Sequence, residues 1–324
     1  MEHDDWQVIA KLRKRAIHRP RRIIFPESQD PRVVAAANRL AEKGWCVPII
    51  LDPQPSSSFH EKVQTAFTSD TDLGNQAAQQ LVINRQHKGM DFDTAKEAIN
   101  NPVLLAALLV RTGYADASVA GSVASTASVI RAGLNGVGTP EGRKLVSSFF
   151  LMQLRQCAIT YADCGVVPDP TSEELAEIAV TAARNHTRLT GETAKVAMLS
   201  FSTHGSARHP KVDKVLRATQ MAKTLAPDLQ IDGELQFDAA WVPQVAARKA
   251  PESNVAGQAN VFVFPDLASG NIAYKITERL AGAQALGPLV QGLSKPCMDL
   301  SRGCSEQDIT DVAVIASVMA GENE

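Results

Sequence analysis

The sequence is short of net charge, of paired cysteines and of long apolar runs, and each shortage removes a class of function. Its 324 residues carry 33 Lys and Arg against 35 Asp and Glu, a formal charge of -2. No overall field draws in nucleic acid or an anionic membrane, so anion binding has to come from local arginines. The five cysteines, Cys46, Cys157, Cys164, Cys297 and Cys304, are odd in number and include no C-x-x-C pair. That pattern fits neither a disulfide framework nor a zinc knuckle, and it points to a reducing compartment. The longest apolar run, residues 104–110, is far too short to span a bilayer, and the acidic start Met1-Glu2-His3-Asp4-Asp5 has no apolar h-region. A soluble, unprocessed, cytoplasmic chain is expected. No G-x-x-x-x-G-K-[ST] and no H-E-x-x-H occurs, and no Cys/His group has metal-ligand spacing. Residues 136–142 look like a dinucleotide fingerprint, but the last glycine is one residue late and the stretch leads into a strand rather than a helix.

What is present is a repeated strand-loop-helix order. A hydrophobic content of 44% over this length supports two compact domains with sizeable cores. A basic amphipathic segment at 6–17 suits a helix packed on the body. A strand at 22–26, a helix capped by Asp30-Pro31 and a strand at 46–51 form a βαβ unit, followed by a Pro/Ser-rich surface loop at 52–58. Helical patterns at 74–87, 93–100 and 102–112 precede a strand at 117–120 and a helix carrying Arg131. Strands at 145–152 and 158–161 come next, then a long helix opened by the capping box Thr171-Ser172-Glu173-Glu174. The chain continues with a strand at 195–201, a helix at 211–225, a strand ending at Ile231 and a helix at 238–249 that Pro243 breaks or kinks. A strand at 260–264, a helix from Asn271 and a last strand at 285–290 complete the order. This alternation predicts α/β architecture, with mainly parallel sheets flanked by helices.

In such sheets ligands bind beyond the carboxyl ends of the strands, which directs attention to the loops. Residues 121–126, 202–206 and 266–271 are all small, polar and glycine-bearing. In the third, Asn271, Lys275 and Arg279 stand at i, i+4 and i+8, so an anion between the two cations would relieve their repulsion; a solvated basic stripe gives the same spacing. The richest stretch is Asp299-Leu300-Ser301-Arg302-Gly303-Cys304-Ser305-Glu306-Gln307-Asp308. Ser305, with Asp308 three residues on, opens an apolar helix whose start attracts anions. Asp308 reads either as a capping carboxylate or as a base for a thiol, whose ordinary pKa of about 8.5 makes a nearby base useful. Ser301 and Arg302 read either as turn residue and ion-pair partner or as donors to an oxyanion. Cys304 reads as a small core residue or, with a histidine brought by the fold, as a nucleophile.

Several blocks together carry a resemblance. They include Ile23-Ile24-Phe25-Pro26-Glu27, Arg85-Gln86-His87-Lys88-Gly89-Met90, Tyr161-Ala162-Asp163-Cys164, Asp232-Gly233-Glu234-Leu235-Gln236-Phe237-Asp238, Gly270-Asn271-Ile272-Ala273-Tyr274-Lys275 and Asp299-Leu300-Ser301-Arg302-Gly303. Over essentially its whole length the chain resembles the phosphate acetyltransferase (phosphotransacetylase) family, most closely the short single-module form associated with ethanolamine utilisation. Ser128 stands where the family usually has an aspartate. The resemblance implies two α/β domains with an interdomain cleft, in a fold like that of the isocitrate and isopropylmalate dehydrogenases. The first domain would be 1–141 plus 295–324 and the second 142–294. It implies Asp308 as the base for the coenzyme A thiol, with Ser301 and Arg302 orienting acetyl phosphate. Arg279 would bind an anion, Arg85 and Arg131 would contact coenzyme A, and Ser125, Thr126, Asn271 and Lys275 are further substrate-binding candidates. Cys157 falls where relatives can carry a reactive but non-essential cysteine. Coenzyme A, acetyl phosphate and phosphate would be substrates, with no tightly bound cofactor and no metal, in a homodimer that could sit inside a bacterial microcompartment. Phosphate butyryltransferase activity, or a non-catalytic coenzyme A-binding or shell-assembly module, is the alternative.

Overall fold

The computed structural model describes residues 7–52 and 58–321. Trp6, the acidic start and most of the Pro/Ser-rich loop lie outside the described residues. The chain divides into two compact units, Met1–Lys144 with Leu293–Glu324, and Leu145–Gly292.

The first unit starts with helix α1 (Gln7–His18), strand β1 (Arg22–Phe25) and helix α2 (Pro31–Lys43). Asp30 caps α2 by accepting from the Arg32 N–H, Pro31 supplies a preset first residue, and Gly44 ends the helix in the left-handed region. Strands β2 (Val47–Leu51) and β3 (Gln64–Ala66) follow, then α3 (Thr71–Arg85), α4 (Phe92–Ala98) and α5 (Pro102–Thr112). Helix α5 has buried residues all round and serves as a core element, while its start and end are set by Asn101, Pro102 and Gly113. Strand β4 (Ala117–Ala120) and helix α6 (Thr126–Gly136) close this part.

The second unit contains β5 (Ser147–Gln153), β6 (Ala158–Ala162), α7 (Ser172–Thr190), β7 (Lys195–Leu199), α8 (Pro210–Leu225) and β8 (Gln230–Leu235). Then come α9 (Phe237–Trp241), α10 (Pro243–Lys249), β9 (Val261–Val263), α11 (Leu267–Ala281) and β10 (Gln284–Gln291). Its six strands run β10-β5-β6-β9-β7-β8. Strand β5 is antiparallel to β6, because the four residues between them are too few for a crossover, and it is antiparallel to β10 as well. The remaining pairs are parallel. The single helix expected at 238–249 is two, since Pro243 has no N–H to continue α9 and Val242 between them is extended.

The chain returns to the first unit with β11 (Cys297–Asp299) and α12 (Glu306–Ala320). The first sheet is wholly parallel in the order β11-β4-β1-β2-β3. Strands β3 and β11 were not expected from the sequence. Each has three residues, too few to show a period, and each lies at a sheet edge where tertiary pairing decides.

Candidate functional site

Strands β11, β4 and β1 are neighbours and parallel, so their carboxyl ends emit three loops at one edge of the sheet, leading into α12, α6 and α2. The sequence marked the middle loop, 121–126, as a place for a ligand. The structure fills its backbone from within. Glu27 Oε2 accepts from the N–H of Gly121 and Ser122 at 2.8 Å and from the Ser122 hydroxyl at 2.9 Å. Its Oε1 accepts from the N–H of Val123 at 3.0 Å and of Ala124 at 2.7 Å. The loops at 202–206 and 266–271 are closed in the same way. Glu234 accepts from the Ser202 hydroxyl and the Gly205 N–H, and Asp266 accepts from the N–H and hydroxyl of Ser269. What remains open in the 121–126 loop is Ser125, the α6 cap, and Thr126, both exposed.

A second residue that the sequence did not single out ties the three loops together. Arg32 Nη1 donates to the carbonyls of Cys304 at 2.6 Å and Arg302 at 3.1 Å, and Nη2 to that of Ser122 at 3.1 Å. A cation in the first turn of a helix opposes the helix dipole, and that misplacement is the signal the sequence carried. Asp30 offsets the cost through an ion pair at 2.6 Å. Burial works against ionisation of Asp30, but the Arg32 guanidinium and amide outweigh it and hold the carboxyl below its usual range.

The loop after β11 then presents the three residues named for chemistry. Ser305 caps α12, its hydroxyl accepting from the Asp308 N–H at 3.1 Å and donating to Asp308 Oδ2 at 2.8 Å. The Ser305 N–H also donates to Oδ2 at 2.8 Å, completing the capping box. Among the described residues, Oδ1 of the exposed Asp308 has no hydrogen-bond partner. Ser301 accepts from the Gly303 N–H at 3.2 Å, which leaves its own proton free to donate. Arg302 is exposed and, among the described residues, its guanidinium pairs with no carboxylate. Such an arrangement offers a held carboxylate, a hydroxyl donor and an uncommitted cation within eight residues.

Helix α6 carries the exposed Arg131. Arg85, at the end of α3, donates to Asn135 Oδ1 at 2.8 Å in the last turn of α6. The structure therefore places Arg85 about 14 Å along α6 from Thr126, by the 1.5 Å rise per residue. Asn271, Lys275 and Arg279 belong to α11 of the second unit. Lys275 Nζ turns back to Asn271 Oδ1 at 2.8 Å, and Asn271 Nδ2 donates to the Cys164 carbonyl at 3.1 Å. Arg279 is highly exposed and lies 3.5 Å from Glu278.

Cys304 is buried, and burial pushes its thiol up to about 11 although Arg32 pulls the other way. It is a protonated packing residue and not a nucleophile. The Cys157 thiol is also raised, by burial and by Glu192. Among the described residues no group of three or more His, Cys, Asp or Glu is arranged to hold a metal ion, and no helix is long and apolar enough to cross a membrane.

The family described as "Phosphate acetyl/butaryl transferase" matches residues 7–317. The "Phosphate acetyltransferase" of Acetivibrio thermocellus is 44% identical, covering 92% of this chain and 93% of that protein. Among solved structures, a phosphotransacetylase from Streptococcus pyogenes superposes with a TM-score of 0.91 at 42% identity, covering 97% of this chain and 98% of its own. The EutD phosphotransacetylase from Staphylococcus aureus superposes with a TM-score of 0.90 at 36% identity and the same coverage. With two α/β units, a charged loop at the edge of a parallel sheet and a match over nearly its full length, this chain belongs to the phosphate acetyl/butaryl transferase family.

Proposed function

We propose that this enzyme reversibly transfers an acetyl group between acetyl phosphate and coenzyme A, by direct attack of the thiolate in a ternary complex. The observation that carries the reading is the loop after β11, where, among the described residues, the Arg302 guanidinium pairs with no carboxylate, Ser301 keeps a free proton and Asp308 keeps one oxygen free. Asp308 takes the thiol proton through Oδ1, while the capping box holds the carboxylate still. The thiolate adds to the acetyl carbonyl, and Ser301 and Arg302 meet the charge that develops on oxygen. The carbon–oxygen bond to phosphate then breaks, giving the thioester and free phosphate. Ser125 and Thr126 at the start of α6 hold the phosphoryl end. Arg131 of α6 and Arg85 of α3, which donates to Asn135 in the last turn of α6, bind the long coenzyme A chain with its phosphates, and Asn271, Lys275 and Arg279 of the second unit bind a further anionic group.

Formation of the thioester, followed by absorbance, tests the reading directly. Asp308→Asn and Arg302→Gln are each expected to lower kcat about 10²- to 10³-fold, as loss of one transition-state donor or base does. Near-normal turnover by both variants would sink the assignment.

The enzyme is proposed to work as a cytoplasmic homodimer. Helix α11 exposes Ile272, Ile276 and Leu280 at i, i+4 and i+8, and a stripe of that kind meets a second copy of itself about a two-fold axis without any other partner. A role in ethanolamine breakdown draws support from the EutD likeness. Shell docking through α1 draws none, since Val8, Ile9, Leu12 and Ala16 are already buried.

A further inference from the structure

Glu27, in the loop between β1 and α2, takes no part in the steps above. It is 8% exposed, and five donors from one short loop converge on its carboxylate. Four are the successive backbone N–H groups of residues 121–124 and the fifth is the Ser122 hydroxyl, all within 3.0 Å. Successive N–H groups turned to one point form a concavity for an anion, and hydrogen bonds to a charged acceptor are the strong kind. A concavity of that sort just before a helix start is where a phosphate is ordinarily cradled. In this chain the anion is supplied from within, by a residue 94 to 97 positions away.

The same loop is fixed on its other sides. Arg32 Nη2 donates to the Ser122 carbonyl at 3.1 Å. Gly121 has φ +107, and a Cβ there would stand 2.7 Å from the Leu300 nitrogen and 2.8 Å from its carbonyl oxygen, so the loop runs hard against the chain that leads to Ser301. With its amides and the Ser122 carbonyl both taken, the loop delivers Ser125 and Thr126 in one direction. Ser125 caps α6 by accepting from the Ser128 N–H, and both residues are exposed.

We propose that Glu27 is a positioning residue for the acyl donor, its carboxylate filling the amide concavity of residues 121–124 and so fixing Ser125 and Thr126 where they receive the phosphoryl group. This rests on the acyl-transfer reading above, in which those two hydroxyls hold that group. The task needs both carboxylate oxygens, since Oε2 takes Gly121 and Ser122 while Oε1 takes Val123 and Ala124. A glutamine turns only one acceptor oxygen to the loop, and its NH₂ group opposes the remaining amides.

The test measures kcat, KM for acetyl phosphate and KM for coenzyme A in the unmodified enzyme, Glu27→Asp, Glu27→Gln and Glu27→Ala, at a temperature where melts show each to be folded. Loss of folded enzyme lowers apparent kcat and leaves both KM values alone, so the split separates positioning from stability. Glu27→Gln and Glu27→Ala are expected to raise KM for acetyl phosphate about tenfold, the worth of one hydrogen bond to the phosphoryl group, with KM for coenzyme A unchanged. Glu27→Asp keeps the charge with one methylene less of reach, and its KM is expected to fall between. Formate is expected to bring Glu27→Ala back toward the unmodified KM, because its carboxylate fits the emptied concavity, and to leave Glu27→Gln and the unmodified enzyme as they are. An unchanged KM for acetyl phosphate, an equal rise in both KM values, or formate acting alike on Glu27→Ala and Glu27→Gln overturns the proposal. Should Glu27→Ala fail to fold, the KM split in Glu27→Asp decides. Absence of thioester formation by the folded, unmodified enzyme would instead remove the acyl-transfer reading. Calorimetry of inorganic phosphate then judges Glu27 by itself, with binding expected about tenfold weaker in Glu27→Ala and restored by formate.

Discussion

At the scale of single residues, the site is built on carboxylates that already have donors. Glu27 accepts from four backbone N–H groups and a hydroxyl, and so shapes the loop that offers Ser125 and Thr126. Glutamine in its place would bring an NH₂ group against amide donors and leave part of that set unpaired in a buried position. Glu27→Gln is therefore expected to destabilise the fold by about 3 kcal/mol, within the range for breaking a buried charged hydrogen-bond set, as read from the urea midpoint at constant slope. Asp308 works on the same plan with one difference. Among the described residues only Oδ2 is engaged, by Ser305, and the free Oδ1 separates the capping task from the chemical one. The two readings left open by spacing are thus compatible because a carboxylate has two oxygens.

Among the elements, the one that presents Asp308 is itself anchored. Helix α12 is buried along nearly its whole length, and α1 is fixed to it by Arg13, which donates to Asp311 Oδ1 at 3.0 Å. The same guanidinium lies over the Trp45 ring at 4.6 Å, and Gln307 also donates to Asp311. Burial raises the Asp311 carboxyl above its ordinary value even though Gln307 and Arg13 pull it down. Removing the guanidinium leaves that charge poorly matched, so Arg13→Met is expected to cost about 3 kcal/mol near neutral pH. The sign of its pH dependence follows from the raised carboxyl. Below the unfolded carboxylate range both states hold the proton and the penalty vanishes; it grows as pH rises. Denaturant melts of Arg13→Met at acid and neutral pH check this, and an equal loss at both would refute it.

Across the whole molecule, one buried group in each unit is expected to respond to acid in the opposite direction. His186 in α7 is fully buried, with Nδ1 2.9 Å from the Thr160 hydroxyl, and burial lowers it to about 4. The unfolded chain then binds the proton first, so this histidine's contribution, about 3 kcal/mol by linkage, is present above the unfolded value of 6.5 and lost as pH falls toward 4. Asp299 in the first unit behaves in reverse. Its carboxyl is raised from 3.8 to about 6, so the native state holds the proton first and gains stability as pH falls through that window. Hydrogen exchange near pH 5 is expected to show amides of β6 and α7 losing protection relative to those of β4 and β11. Equal loss in both units would contradict it. At the level of assembly, Leu280 is 84% exposed, and Leu280→Glu is expected to convert the proposed dimer to a monomer in light scattering. A monomeric unmodified enzyme would refute that.

The sequence by itself determined most of the elements and the family. Caps such as Asp30-Pro31, Asn101-Pro102 and the Ser305/Asp308 box are local, and their hydrogen bonds span at most three residues, so spacing reveals them. The residues named at the loop after β11 were legible for the same reason. Pairing was not. The three-residue strands β3 and β11 and the antiparallel turn of β5 against its neighbours follow from which edges come together, and no local period records that. Glu27, Arg32 and Asp299 are the clearest cases at the site. Glu27 meets the loop after β4 across 94 to 97 residues, and Arg32 meets Cys304 across 272. Only the parallel packing of β1, β4 and β11 brings those carbonyls, amides and carboxylates to one edge. What a buried group does there depends on its partners and on the loss of water around it, both of which come from the tertiary structure alone.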